Sequence, residues 1–290
     1  MIVLTGATGF TGEHVAKALG NTPFRAMVRD ESRAGDVLHR PNVTIVRGDF
    51  SDRASMVEAF RGCHTLINVG SLGFGHGPDV VGAAEEAGIR RAVFVSTTAI
   101  FTNLEAKTKA TRLAAEAAIR RSRLGWTILR PTMIYGTERD RNIYRMVRAL
   151  KRIPVFPVFG DGTHLQQPIH VEDLAWAIVR AAGSDEVVGK AYNLAGQAPL
   201  TFNDLIRTVG RAMGRRVFIP HVPQALVLPL LDLYGKVSRR PILKVEQVLR
   251  LNEDKTFSYE DAARDFGFAP RSFDQGIKEM VAALSDRALI

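Results

Sequence analysis

Short apolar runs alternate with helix-like segments over the first half of the chain. The runs are rich in β-branched residues, which is typical of buried strands, and the segments between them carry apolar residues at helical spacing. Strands that alternate with helices predict a parallel sheet covered on both faces, so we predict a doubly wound α/β fold. The predicted strands are Ile2–Leu4, Phe24–Val28, Val43–Val46, Thr65–Val69, Ala92–Val95, Trp126–Leu129 and Ala191–Leu194, and the predicted helices are Phe10–Leu19, Ser51–Phe60, Val80–Ala87, Ala106–Ser122 and Val171–Ala182.

The pattern changes beyond Pro131. Prolines and glycines cluster between residues 153 and 168, and helical segments separated by prolines fill the part from Thr201 onward. This tail is too helical to extend the sheet, so we expect a smaller cap over the carboxyl edge of the strands, where open α/β sheets bind their ligands. The predicted domains are residues 1–135 plus 169–200, which carry the sheet, and residues 136–168 plus 201–290, which form a mainly helical substrate domain.

The first predicted strand runs directly into three glycines, Gly6, Gly9 and Gly12. One glycine permits a sharp turn, one lets the backbone approach a pyrophosphate, and one lets the next helix pack against the strand. The helix N-terminus then offers N–H groups and a partial positive charge to an anion. The first two glycines are one residue further apart than in the G-x-G-x-x-G motif, so their spacing alone is a weak signal. The prediction of a phosphate-binding corner depends on their position directly after a predicted strand. This corner, with Thr8 and Phe10, predicts dinucleotide binding.

The ends of the second and third strands set the predicted cofactor preference. A fold that binds NAD usually ends the second strand with an acid that accepts hydrogen bonds from the ribose, whereas a fold that binds NADP places cations there for the 2′-phosphate. Arg29 occupies that position and Arg33 follows it, which favours NADP(H), with NAD(H) as the alternative if Asp30 turns inward. Asp49 ends the third strand beside Phe50 and is placed to meet an adenine amino group.

Composition and charge limit the classes of function. The 290 residues are 46% hydrophobic, which is enough for one large domain or two modest ones. The net charge of +9 comes from arginines that are spread along the chain without interleaved aromatic residues. Such a distribution suits anionic ligands and argues against a dedicated nucleic-acid-binding protein.

The single cysteine and the apolar runs bear on location. Cys63 excludes an internal disulfide framework and fits a reducing compartment, and a strand that starts at residue 2 leaves no room for a signal peptide. We therefore expect a cytoplasmic protein. The longest apolar stretch, residues 226–233, is far shorter than a membrane span. No metal site is predicted, because Cys63 and His64 would point to opposite faces of a strand and lack partners.

Motifs along nearly the whole chain match one family: TGATGFTG at 5–12, GD at 48–49, the strand end at 95–98, RPTMIYG at 130–136, FGDG at 159–162, HVEDLAWAI at 170–178, YNLAGQAPLTFNDLI at 192–206 and FAPRSFDQGI at 268–277. The chain resembles the extended short-chain dehydrogenase/reductase family. More narrowly, it is similar to the NAD-dependent epimerase/dehydratase members and to the atypical branch that includes NmrA-like proteins and the respiratory complex I accessory subunit. The resemblance implies a Rossmann fold, an NAD(P) cofactor and a small-molecule substrate. It does not decide the oligomeric state, for which a homodimer is the candidate.

Three further strand ends complete the expected cofactor contacts. Val69, Gly70 and Ser71 begin a glycine-containing loop after the fourth strand, where the central part of the cofactor is expected. Ser96 and Pro131 end the fifth and sixth strands at the same edge.

The family's chemistry uses a Tyr and a Lys four residues apart on the helix after the fifth strand, with a Ser or Thr at that strand's end. A spacing of four puts the pair on one helical face, where the Lys lowers the pKa of the Tyr so that the phenol can exchange a proton. Thr97 best matches the hydroxyl residue, and Arg112, four residues before Glu116, takes the place of the Lys in one register and can grip ribose hydroxyls. Registers that start from Lys107 or Lys109 supply no Tyr either.

Three interpretations follow from the missing Tyr. In the first, the protein is an atypical NADP(H)-dependent reductase or an epimerase/dehydratase-like enzyme, with Lys107 or Lys109 as proton donor and Thr97 assisting. In the second, it binds NADP(H) without turnover, as a redox-responsive regulator or an assembly subunit. In the third, Tyr135 supplies the phenol from another element.

Overall fold

The computed structural model describes residues 1–104, 108–229, 245, 248–249 and 252–290. Its strands are β1 (Ile2–Thr5), β2 (Phe24–Val28), β3 (Val43–Arg47), β4 (Thr65–Asn68), β5 (Arg91–Val95), β6 (Gly125–Pro131), β7 (Ile134–Tyr135), β8 (Val158–Phe159), β9 (Leu165–Gln166), β10 (Ile169–His170), β11 (Lys190–Leu194), β12 (Leu200–Thr201) and β13 (His221–Val222). Its helices are α1 (Phe10–Ala18), α2 (Arg53–Phe60), α3 (Gly77–Glu86), α4 (Lys109–Arg121), α5 (Ile143–Arg152), α6 (Val171–Ala182), α7 (Phe202–Ala212), α8 (Glu260–Phe266) and α9 (Phe273–Asp286).

The chain forms two compact units. Unit 1 comprises residues 1–132, 171–194 and 258–269, and unit 2 comprises residues 133–170, 195–257 and 270–290. Residues 258–269 group with unit 1, although the domain boundaries predicted from the sequence assign them to the cap.

Unit 1 is built on a seven-stranded sheet in the order β11–β6–β5–β4–β1–β2–β3. All of its strand pairs are parallel, with Ile2 opposite Phe24 on one side and opposite Thr65 on the other. The chain moves outward in one direction from β1 to β3 and then in the other direction from β4 onward. The strand ends of β1 and β4 therefore flank the switch point at which such sheets bind ligands. The predicted doubly wound fold is confirmed.

Helices cover both faces of this sheet. Val3, Leu66 and Phe94 share one apolar core with side chains of α2, α3 and α4. The neighbouring residues Leu4 and Ile67 are also fully buried, and because successive strand residues point to opposite faces, they belong to the other layer. Helices α1 and α6 pack against each other in that layer.

Helix starts follow local capping chemistry. Helix α2 begins at Arg53, two residues after the predicted start, because the Asp52 side chain accepts a hydrogen bond from the Ser55 backbone N–H. Helix α3 begins at Gly77 rather than Val80, since Pro78 is favourable in a first helical turn. Helix α4 is described from Lys109, and the predicted start at Ala106 lies outside the described residues.

Unit 2 packs α5, α7 and α9 around its own core, which includes Val147, Leu150, Ile206, Ile277 and Met280. Short two-stranded pairs, β7–β10, β8–β13 and β9–β12, accompany these helices. A strand of two residues is too short to show the alternation of apolar and polar residues by which strands are predicted from a sequence. In the part of the chain that the structure describes, no helix is both long and apolar enough to span a bilayer, and the predicted apolar stretch 226–233 extends past the described residues at 230.

Candidate cofactor site

The glycine corner after β1 owes its shape to backbone contacts that a side chain would obstruct. Gly6 has a φ of +72°, and a Cβ there would lie 2.8 Å from the backbone nitrogen of Gly70, which follows β4. A Cβ on Gly12 would lie 2.1 Å from the Gly6 carbonyl oxygen. Gly6 therefore makes the turn at the switch point, and Gly12 lets α1 pack closely against that turn.

Helix α1 starts at this corner. Gly9 is its N-cap residue with extended backbone, and the helix has no side-chain cap at this end. The Gly9 N–H donates to the Gly6 carbonyl oxygen at 2.9 Å, which closes the turn, and Thr8 and Phe10 are half-buried beside it. The Phe10 ring packs edge-on against His14, with ring centroids 5.5 Å apart. An uncapped helix start beside glycines fits an anionic group such as a pyrophosphate.

A cavity opens beside the corner, along the ends of β1, β2 and β3. Predicted cofactor residues in its lining are Gly6, Thr8, Arg29, Arg33, Asp49, Phe50 and Ser71. Asp30, the acid of the NAD(H) alternative, also lines the cavity, and the further lining residues are Met27, Val28, Gly48, Phe74 and His76.

Arg29 and Arg33 line the cavity as exposed side chains; Arg29 precedes a single turn of 3-10 helix, Glu31–Arg33, and Arg33 is the last residue of that turn. Asp30 caps this turn: one of its carboxylate oxygens accepts hydrogen bonds from the Ser32 backbone N–H at 3.0 Å and from the Ser32 hydroxyl at 2.7 Å. The hydrogen bonds from Ser32, together with the nearby charges of Arg33 and Arg29, hold the pKa of Asp30 below its usual value. One oxygen of the acid that could accept from a ribose is thus engaged within its own turn.

Asp49 and Phe50 form the opposite wall. The Asp49 carboxylate accepts hydrogen bonds from the Ser51 backbone N–H and hydroxyl, each at 2.9 Å, and these bonds lower its pKa. The Phe50 ring lies directly over Gly70, where a Cβ would approach it to 2.4 Å. On its other side Phe50 stacks against the His76 imidazole, with centroids 6.2 Å apart. The wall is therefore an aromatic pair with a carboxylate beside it.

The loop after β4 joins the corner through buried polar groups. The Thr5 hydroxyl donates to the Asn68 side-chain oxygen at 2.7 Å, and the Val69 N–H donates to the Thr5 carbonyl oxygen at 3.2 Å. The Ser71 hydroxyl accepts from the Gly73 N–H at 3.2 Å and starts a 3-10 turn, Leu72–Phe74. These bonds fix the loop at the switch point, so His76 and Phe74 reach the cavity. The sequence signal for both was only a glycine-rich loop.

The strand ends of β5 and β6 hold the predicted catalytic hydroxyl. The Ser96 N–H donates to the Leu129 carbonyl oxygen at 2.7 Å, and the Ser96 side chain is buried. Thr97 is half-buried, and its hydroxyl accepts from the Ala99 N–H at 3.2 Å to cap a 3-10 turn, Thr98–Phe101. The Thr98 hydroxyl then donates to the Pro131 carbonyl oxygen at 3.3 Å, which ties that turn to β6.

Two predicted cations lie on the first turn of α4. The Lys109 ammonium donates to the Thr102 carbonyl oxygen at 2.6 Å, just after the turn that Thr97 caps. The Arg112 guanidinium donates to the Thr108 hydroxyl at 2.6 Å and lies over Gly73, where a Cβ would approach it to 3.1 Å. Lys107 lies outside the described residues.

A buried ion pair that sequence reasoning missed anchors α4 to β6. Glu116 and Arg130 pair with side-chain exposures of 5% and 13%, and Arg120 also approaches Glu116 at 3.7 Å. Burial raises the pKa of Glu116, but hydrogen bonds from Arg130 and the charges of Arg130 and Arg120 outweigh it, so the pKa lies below its ordinary value. The Arg130 guanidinium also lies over the Phe101 ring, 5.3 Å from its centroid.

Tyr135, the third candidate proton donor, belongs to unit 2. Its side chain is 1% exposed and lies in the core of that unit. The ring packs edge-on against His170 and at a tilt of 58° against Phe273, with centroids 5.2 and 5.1 Å apart, and its hydroxyl occupies the space where a Cβ on Gly276 would be. Tyr135 is thus enclosed by core side chains and is not part of the cavity in unit 1.

Comparison with known proteins identifies the family of the chain. A family model described as NAD(P)H-binding matches residues 6–185, which include the glycine corner, the cavity and α4. Among curated relatives, ceramide reductase of Caulobacter vibrioides is 25% identical over 83% of this chain and 80% of its own length. Quinone oxidoreductase 2 of Escherichia coli is 26% identical over 78% of this chain and 79% of its own length.

Solved structures share the fold along nearly the whole chain. The NADPH-dependent quinone oxidoreductase of Escherichia coli superposes with a TM-score of 0.77 at 22% identity, covering 98% of this chain and 100% of its own. The dTDP-glucose 4,6-dehydratase DesIV of Streptomyces venezuelae, with NAD bound, gives a TM-score of 0.76 at 16% identity, covering 99% of this chain and 97% of its own. The predicted family is confirmed: the chain belongs to the NAD(P)H-binding family and is an extended short-chain dehydrogenase/reductase-like protein.

Proposed function

We propose that the protein is an NADP(H)-dependent reductase of a small carbonyl compound. The observation that carries the proposal is the arrangement at the end of β2, where Arg29 and Arg33 line the cavity while Asp30 is hydrogen-bonded to Ser32. A 2′-phosphate carries charge that guanidinium groups bind through charge-assisted hydrogen bonds, whereas a ribose diol is bound by a carboxylate, and one oxygen of the Asp30 carboxylate already accepts from Ser32. The turn therefore favours the phosphorylated cofactor.

The remaining cavity residues suit the other parts of such a cofactor. The N-terminus of α1, opened by Gly9 and Gly12, would hold the pyrophosphate. The wall made by Phe50 and His76 would stack against the adenine, and Asp49 would accept from its amino group. Arg112, which bridges α4 and the loop at Gly73, would bind hydroxyls of the second ribose.

For the chemical step, a bound nicotinamide supplies the hydride. Reduction of a carbonyl adds that hydride to carbon and a proton to oxygen, so the protein must hold a proton donor at the oxygen. Lys109 is the donor that we favour, because its ammonium is held by Thr102 at the end of the turn that begins at Thr97. Thr97, half-buried at the strand end, would donate a hydrogen bond that orients the carbonyl oxygen.

We favour Lys109 over Tyr135 because Tyr135 is enclosed in the core of unit 2. The five tyrosines are Tyr135, Tyr144, Tyr192, Tyr234 and Tyr259, so no Tyr lies between Thr97 and Tyr135 to play the family's usual part. The relatives named ceramide reductase and quinone oxidoreductase 2 support redox chemistry over epimerisation, and the name of the first describes a reduction.

The test combines binding with turnover. The midpoint of thermal unfolding is measured with NADPH, with NADH and without cofactor, and loss of the NADPH absorbance band is then followed with a panel of aldehydes, ketones and quinones. We expect NADPH to give the larger shift and at least one carbonyl compound to be reduced. Stabilisation by NADPH without oxidation across the panel would favour the alternative of a redox-responsive regulator or assembly subunit, and stabilisation by NADH alone would overturn the role given to Arg29.

A further inference from the structure

Three exposed apolar side chains adjoin one another on unit 2. Ile153, Val155 and Phe218 are 61%, 40% and 68% exposed. Val155 and Phe218 are paired through an isolated parallel bridge, and the Phe218 N–H donates to the Pro154 carbonyl oxygen at 2.9 Å. The bridge places Val155 and Phe218 side by side, and Ile153 lies two residues before Val155. We call these three exposed residues the apolar edge.

Cationic side chains surround this edge. Helix α5 ends at Arg152, directly before Ile153, and Arg145, Arg148 and Arg152 are exposed at the i, i+3, i+7 spacing of one helical face. The Arg215 guanidinium donates to the Leu150 and Lys151 carbonyl oxygens at 2.9 and 2.6 Å, which holds the segment with Arg216 beside the end of α5. We call Ile153, Val155, Phe218 and the cations Arg145, Arg148, Lys151, Arg152, Arg215 and Arg216 the basic apolar patch.

The patch has a single sign of charge. Residues 141–160 and 205–229 contain nine lysines and arginines and no aspartate or glutamate. Within the described ranges, no carboxylate forms an ion pair with Arg145, Arg148, Arg152 or Arg216, whereas Arg207 pairs with Asp204 at the far end of the second segment. In the part of the chain that the structure describes, these four cations therefore carry positive charge that no ion pair neutralises.

We propose that the basic apolar patch docks the protein on the surface of an anionic lipid bilayer. Exposed aliphatic and Phe side chains can enter the boundary between headgroups and acyl chains, while the surrounding cations contact lipid phosphates. A second copy of the patch would carry the same charge and be repelled. A nucleic acid backbone would satisfy the cations but would give Ile153 and Val155 no apolar surroundings.

The size of the patch sets the strength of binding. Each cation near an anionic surface strengthens binding by about fivefold, and transfer of the Phe218 side chain out of water adds about tenfold or more. Three apolar side chains do not anchor a protein permanently, so the association is reversible and weakens as salt screens the charges.

Cosedimentation with lipid vesicles tests this proposal on the full chain. We expect binding to equimolar phosphatidylglycerol and phosphatidylcholine vesicles, none to pure phosphatidylcholine, and release at high salt. Phe218→Ser and the double variant Arg152→Glu with Arg216→Glu should each weaken binding by about tenfold or more. Matched controls in unit 1, Val188→Ser at a 41% exposed apolar residue and Arg121→Glu at an exposed cation, should bind as the wild type does.

Thermal unfolding and NADPH titration of every variant separate loss of docking from loss of fold, because none of these residues lies in the cofactor cavity. If Phe218→Ser unfolds, Ile153→Ser tests the same apolar edge. The proposal is overturned by equal binding to both vesicle types, by binding that the patch variants leave unchanged, by tighter binding to a duplex oligonucleotide than to the vesicles, or by self-association that Phe218→Ser abolishes in the absence of vesicle binding.

Discussion

The two ends of the candidate cofactor site in unit 1 are held in place by different means. At the glycine corner, a Cβ on Gly6 or Gly12 would meet backbone atoms at distances that exclude it, and a Cβ on Gly70 would meet the Phe50 ring. At the other end, Thr97 and Lys109 are held by hydrogen bonds between side chains and the local backbone. Under the proposed function, nucleotide binding would depend on the shape of the main chain, whereas the chemistry would depend on single side chains.

The largest effect is expected at Gly6. In Gly6→Ala the Cβ would meet the Gly70 backbone nitrogen at 2.8 Å, so the turn must open, and we expect NADPH affinity to fall by about 100-fold or more. Gly20→Ala is the matched control, because Gly20 also has a positive φ, +56°, with nothing within 4 Å of its Cβ position. It should lose about 1 kcal/mol of stability and keep its affinity. Equal affinity losses by isothermal titration calorimetry would show that backbone strain, not close approach, limits binding.

Replacement of Lys109 should affect turnover and not cofactor affinity, in contrast to replacement of Gly6. Removing a proton donor usually lowers turnover by about 100-fold or more without affecting cofactor binding, so Lys109→Met should lower kcat and leave the NADPH dissociation constant unchanged. Lys107→Met and Tyr135→Phe are the matched comparisons, each to be measured at saturating NADPH. If Lys109→Met retains full kcat while Lys107→Met or Tyr135→Phe loses it, the assignment of the proton donor is wrong.

The ion pair between Glu116 and Arg130 connects α4, which carries Lys109, to β6. Glu116→Ala leaves Arg130 buried without its partner, so the free energy of unfolding should fall by about 3 kcal/mol. Because the pKa of Glu116 is lowered in the folded protein, its contribution is complete above the ordinary pKa of a glutamate, about 4.3, and is lost as the pH falls through the folded value.

Urea unfolding across the acidic range should therefore show a steeper loss of stability in the wild type than in Glu116→Ala. Glu58→Ala is the control, since Glu58 forms only an exposed pair with Arg61. A parallel pH dependence in the wild type and Glu116→Ala would contradict the assigned role of this pair.

Features that depend on the backbone could be predicted from the sequence more fully than features that depend on side-chain contacts. The parallel sheet and the corner were predictable, because apolar runs and glycines directly reflect backbone requirements. The hydrogen bonds between Asp30 and Ser32 were not, since the sequence equally allowed Asp30 to turn toward the ribose. His76 and Phe74 enter the cavity only because the loop after β4 is fixed through Asn68, which is a contact between distant segments.

Unit 2 was harder to predict for a related reason. Helix α5 lies between the segment 136–142 and a cluster of prolines. These flanking residues made the helical spacing of its apolar residues hard to recognise in the sequence. In unit 1, the ion pair between Glu116 and Arg130 was also missed, because these residues are separated in sequence by the end of α4 and the start of β6. Such long-range side-chain pairs depend on tertiary packing and leave no local pattern.

Asp30 should give the smallest effect. Because its carboxylate is bonded to Ser32 and carries the same sign of charge as a phosphate, Asp30→Ala should strengthen NADPH binding by about twofold to fivefold and leave NADH binding unchanged. Ser32→Ala keeps the charge but removes the hydroxyl partner, and serves as the comparison. A loss of NADH affinity in Asp30→Ala would mean that the carboxylate binds the ribose after all.

The most direct test of the central claim is the ratio of the NADH and NADPH dissociation constants in the wild type and in Arg29→Ala, measured by titration calorimetry. We predict that the wild type prefers NADPH, and that Arg29→Ala weakens NADPH binding by about tenfold to 100-fold while NADH binding changes by less than about twofold. An unchanged ratio, or a wild type that prefers NADH, would contradict the role of Arg29 in binding a 2′-phosphate.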